Sequence, residues 1–145
     1  MQYIKSCGCV VFASIDGENR YLIIKSHNGD VGFPKGHTED GESEIETAVR
    51  EVAEEVNLEL DVIPGFRREI EYRLPGIDGA VKRAVYFLGR CKDICMLKCQ
   101  ESEVGDACFM PYADAIEALT FDETRQILCD AENYIRDLTK YNIKD

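Results

Sequence analysis

The chain has 145 residues, of which 45% are hydrophobic and 31% charged, proportions that suit a single soluble domain spanning 1–145 with its own core. A formal net charge of −11 argues against general binding to nucleic acid or an anionic membrane surface, although metals and a local basic cluster can invert the field within a cleft. No run approaches the roughly 18 apolar residues of a membrane-spanning helix, and the N-terminus carries no secretory signal pattern, so the cytoplasm is the expected compartment.

The first segment, Met1 to Ile15, is rich in Val, Ile, Cys and Phe and reads as a strand. Asp16-Gly17-Glu18-Asn19 signals a turn, and Tyr21 to Lys25 is expected to pair back as a hairpin. His27 to Gly36 reads as an irregular loop. Leu58 to Ile63 is a short strand ended by Pro64-Gly65. Phe66 to Leu74 alternates as a strand with one largely apolar face, and Pro75 to Gly79 is a turn. Ala80 to Cys91 is a further strand, and Ile94 to Val104 is part strand, part exposed loop. Cys108 to Met110 reads as a short strand before Pro111, then Tyr112 to Leu119 as a short helix. A longer helix follows from Phe121 to about Tyr141, with Ile127, Leu128, Ala131, Ile135 and Leu138 as its buried stripe. The seven cysteines include no Cys-x-x-Cys pair and are expected to be reduced, serving as small core residues. Strands mixed with two main helices predict an α/β fold, a mixed sheet between helical layers.

Between these elements lies the most informative stretch, Gly36 to Leu58. Ser43 with Glu46 fits a capping box, with Asp40 as a second candidate cap. Ile45, Ala48, Val49, Val52 and Val56 recur at helical spacing and predict one apolar face, leaving Glu51, Glu54 and Glu55 on a face turned outward. Acids at the far end of a helix oppose its dipole at a cost of about 0.3–1 kcal/mol each. Glu51 and Glu55 add an i,i+4 repulsion of about 0.2–0.5 kcal/mol. A bound divalent cation would turn that repulsion into attraction, because hard cations prefer carboxylate oxygens.

Gly36, five residues, Glu42, seven residues and then Arg50-Glu51-Val52-Ala53-Glu54-Glu55-Val56-Asn57-Leu58 resembles the Nudix box. Asn57 stands where the box has glycine. That position calls for a left-handed backbone, for which Asn is the next choice after Gly. The resemblance implies the Nudix α/β/α sandwich and hydrolysis of a diphosphate linkage with Mg2+, for which Mn2+ can substitute. It implies Glu51, Glu54 and Glu55 as catalytic metal ligands, joined by the Gly36 carbonyl. Arg50 and Glu42 are expected to pair and hold the loop against the helix. A loop carboxylate outside the box serves such enzymes as base or ligand. Here Glu103 is the first candidate and Glu101 the second.

Phe33-Pro34-Lys35-Gly36-His37, Gly65 to Tyr72 and Lys82 to Leu88 resemble the Nudix subgroup that splits diadenosine tetraphosphate asymmetrically, and the likeness extends through Phe121 and Tyr134. This implies a small-molecule nucleotide substrate, and no protein partner is implied. Lys35, His37 and Lys82 are candidate phosphate ligands, with Arg83 behind them. Tyr72 and Tyr134 are candidates to clamp a base, and Tyr86 to donate to a phosphate. Two alternatives stand beside this reading. One keeps the site but takes another substrate: a nucleoside triphosphate, an ADP-sugar, a capped RNA end or a diphosphoinositol phosphate. The other is a non-catalytic nucleotide sensor.

Overall fold

The computed structural model describes residues 2–73, 80–100 and 104–140. Among these, eight strands form one mixed sheet. The central pair is β1 (Gln2–Ile15) and β7 (Ala80–Cys91), parallel from Gln2 opposite Ala80 to Phe12 opposite Arg90. β2 (Glu18–Ser26) returns antiparallel to β1 through a turn in which Asp16 (φ 53°) and Gly17 (φ 78°) both take positive φ, as a two-residue hairpin with the sheet's twist requires. On the other side of β7 lie β5 (Leu60–Val62) and β6 (Arg68–Arg73), both antiparallel to it.

Helices cover both faces. α1 (Glu44–Val56) packs on one, α2 (Tyr112–Ala118) and α3 (Asp122–Lys140) on the other. Strand alternation divides the core between them. Val10, Phe12, Tyr21, Ile23, Ala84 and Tyr86 meet the Leu119, Ile127, Leu128 and Ala131 side, whereas Cys9, Val11, Leu22, Ile24, Val85 and Phe87 meet Ala48, Val52 and Val56. The result is the expected α/β/α sandwich.

Several expectations need correction. The loop from His27 to Gly36 contains two short strands, β3 (Val31–Gly32) on β2 and β4 (Lys35–His37) on β1. Two or three residues are too few to show a period. The second of these strands depends on a distant glycine, since a Cβ on Gly8 would stand 2.3 Å from the Pro34 carbonyl oxygen. The last strand, β8 (Val104–Pro111), is longer than Cys108 to Met110 and runs antiparallel to β2. Ile94–Met96 is a single 3₁₀ turn. All seven cysteines are free, but only Cys7, Cys9 and Cys91 are buried, and Cys95 and Cys108 are exposed. The turn after Leu74 and the candidates Glu101 and Glu103 lie outside the described residues.

Candidate active site

α1 begins as expected. Ser43 Oγ accepts from the Glu46 N–H at 3.1 Å, and Glu46 Oε1 accepts from the Ser43 N–H at 2.8 Å. Ala48, Val52 and Val56 of the expected apolar face are buried, but two acids are buried with them. Ile45 is 44% exposed, whereas Glu51 and Glu55 are only 9% and 5% exposed. Glu51 and Glu55 are turned inward, against β4, while Glu54 stays exposed as expected. Gly36 makes this possible, because a Cβ there would stand 2.1 Å from Glu51 Cδ. The carboxylate occupies the space where any other residue would put a side chain.

Arg50 organises the acids around it. Its Nε donates to Glu42 Oε2 at 2.7 Å and its Nη2 to Glu42 Oε1 at 3.0 Å, the expected pair made bidentate. Nη1 donates to Glu51 Oε1 at 2.9 Å and Glu54 Oε2 at 3.1 Å. Nη2 also reaches the His37 carbonyl at 2.9 Å, so His37 joins the site through its backbone while its side chain is exposed. Glu42 further accepts from Thr47 Oγ1 and the Glu39 N–H, both at 3.0 Å. The Arg50 guanidinium, foremost, holds the Glu42 carboxyl down at about 2.

The Lys35 N–H donates to Glu55 Oε2 at 3.1 Å, while its side chain lines a cleft on the opposite side of the strand. Burial pushes the Lys35 ammonium down, against the pull of Glu55 and Asp30. The cleft has two adjoining parts, of about 180 and 260 Å3, which share Lys35, Tyr86, Phe121 and Thr124. Ile70 and Glu123 line the first and Lys82 the second. Tyr86 is buried at the base, edge-on to Phe33 at 5.5 Å between centroids.

The structure therefore brings Lys35, Lys82 and Tyr86 together and links them to Glu55. The Tyr72 backbone lies directly opposite Lys82 across the sheet, but the Tyr72 side chain is outside the described residues. Tyr134 stands elsewhere. Its hydroxyl donates to the Pro64 carbonyl at 2.6 Å, and its ring meets Phe66 edge-on at 5.7 Å. Phe121, 50% exposed, also lines the cleft; from sequence it entered only as part of the subgroup resemblance, with no binding role given to it. The available signal was an aromatic residue six positions ahead of the expected helix stripe, which begins at Ile127, where packing does not require it.

Glu51, Glu54 and Glu55 offer only carboxylate oxygens, the donors hard cations take. Two of them are buried, which is costly for a carboxylate without a cation or hydrogen-bond donors. Among the described residues no group of three or more His, Cys, Asp and Glu side chains forms a ready-made metal cage, and Arg50 bonds both Glu51 and Glu54. The donor chemistry nevertheless fits a hard divalent ion.

The NUDIX domain pattern matches residues 6–130. The chain belongs to the Nudix family and is a Nudix hydrolase, a class that generally uses divalent metal ions. Its relatives include the asymmetrical bis(5'-nucleosyl)-tetraphosphatase of Rattus norvegicus, 30% identical over 154 aligned positions that cover 87% of this chain and 96% of the relative. The enzyme of that name from Mus musculus is 34% identical over 110 residues, covering 62% and 67% respectively. A C. elegans Ap4A hydrolase binary complex shares the fold with a TM-score of 0.84 at 22% identity, covering 92% of this chain and 98% of that one.

Proposed function

We propose that this protein hydrolyses diadenosine tetraphosphate to ATP and AMP in a Mg2+-dependent reaction, by attack of water on phosphorus. The observation that carries this reading is Lys35. Its backbone is bonded to Glu55, and its side chain lines the cleft containing Tyr86 and Phe121, so one residue joins the acidic helix to a hollow suited to a nucleotide. The relatives named as tetraphosphatases support the choice of substrate.

Each group has a task set by its chemistry. Glu51, Glu54 and Glu55 would hold Mg2+, with the Gly36 carbonyl and Glu103 completing the set. When bound, the ion neutralises phosphate charge and makes water easier to deprotonate. Lys35 and Lys82 bind the polyphosphate as point charges, and Tyr86 donates a hydrogen bond to it. Phe121 supplies a face on which a base stacks, with Tyr72 as a further candidate. Arg50 orients Glu51 and Glu54. Glu103 accepts the proton of the attacking water, with Glu101 as the alternative.

Incubation with Mg2+ over a panel of dinucleoside polyphosphates, nucleoside triphosphates, ADP-sugars and capped RNA tests this. ATP and AMP in equal amounts from diadenosine tetraphosphate are expected; two ADP, or a strong preference for another substrate, refutes it. Glu103→Gln should lower kcat far more than it changes KM. Equal damage to both, or to neither, removes Glu103 from the role of base.

A further inference from the structure

The last turn of α1 carries Glu54 and Glu55 at the negative end of the helix and contains no basic residue. The segment after β7 holds this turn in place. The Gln100 N–H donates to the Glu55 carbonyl at 2.8 Å, and the Lys98 N–H to the Val56 carbonyl at 3.0 Å. These are helix-end carbonyls that have no partner within the helix. Asn57 closes the turn in the left-handed conformation, φ 60° and ψ 32°, with its own N–H on the Ala53 carbonyl. Its side chain adds a bond that glycine lacks: Nδ2 donates to the Met96 carbonyl at 2.9 Å.

We infer that Asn57 is a positioning residue. It pins residues 96–100 against the end of α1, and that strap holds the turn bearing Glu55. The second half of this statement rests on Glu55 as a metal ligand. A plain left-handed cap would behave differently. Glycine adopts that conformation at least as readily as asparagine, so on capping grounds Asn57→Gly is neutral or stabilising.

The test uses Asn57→Gly, which keeps the backbone conformation and removes the side-chain bond. Asn57→Asp serves as a second variant, because an ionised carboxylate can only accept and so cannot donate to Met96. In metal-free protein, hydrogen exchange at the Lys98 and Gln100 amides should quicken about tenfold in both variants relative to wild type. Unchanged exchange at these amides overturns the pinning role. With Mn2+ as the probe, the concentration for half-saturation should rise several-fold, while KM for dinucleotide at saturating metal stays unchanged. Faster exchange with unaltered Mn2+ uptake overturns the link to Glu55. A wild-type protein that takes up no Mn2+ refutes the metal reading itself, and the exchange measurement then still decides whether Asn57 pins the strap.

Discussion

Glu51 lies against Gly36 so closely that a Cβ on Gly36 would stand 2.1 Å from the carboxyl carbon. The atom in the way is the end of a side chain, so Gly36→Ala is relieved by moving Glu51 rather than by breaking the sheet. Overpacking of this kind costs about 1–3 kcal/mol. A misplaced catalytic group costs about 10²-fold in rate. Gly36→Ala should therefore fold with a modestly lower Tm and lose about 10²-fold in kcat. Thermal melting alongside steady-state kinetics checks this, and near-normal kcat would show that the position of Glu51 is immaterial.

Phe121 is half exposed and buries little in the core, so its removal should spare the fold. Base stacking on an aromatic face is worth about 1–3 kcal/mol. Phe121→Ala is expected to raise KM for an adenine dinucleotide by about 5- to 150-fold with little change in kcat or Tm. An unchanged KM would exclude it from the binding site.

Tyr134 makes the opposite prediction. Tyr134→Phe keeps the ring but removes the bond to the Pro64 carbonyl, which holds α3 against the loop before β6. A net hydrogen bond contributes about 1 kcal/mol, with a further penalty if the carbonyl is left dry. Stability measured by urea unfolding should fall by about that amount, while KM stays constant. A large rise in KM would instead give the hydroxyl a role in binding substrate.

The Glu42–Arg50 pair sets an acid limit on stability. The folded carboxyl titrates at about 2, below its ordinary 4.5. A depressed carboxyl contributes its full stabilisation above the unfolded value and loses it as pH falls towards the folded one. Glu44, held at about 2 first by Arg67 and then by Lys5, acts in the same direction. The urea midpoint should be flat from pH 7 to about 5.5 and fall between 4.5 and 2. Glu42→Gln should lower the midpoint at pH 7 and flatten the acid slope. An unaltered slope would show that the pair does not couple to folding.

What the chain determines locally was legible without coordinates. The Ser43–Glu46 box, the Asp16-Gly17 turn, the bounds of β7 and the stripe of α3 each depend on residues within a few positions of one another. The spacing from Gly36 to Leu58 identified the family, because a helix converts fixed intervals into fixed directions. Tertiary structure decided that Glu51 and Glu55 join Ala48, Val52 and Val56 on the buried side of that helix. Glu51 faces inward because β4, seated on β1 where Gly8 lacks a side chain, leaves room for a carboxylate at Gly36, and Ile45 faces solvent. The sharing of one cleft by Phe121 and Lys35 and the bond from Asn57 to Met96 were likewise decided there. Such contacts join residues tens of positions apart, where no periodicity carries information and only the packing of the whole sheet sets the distance.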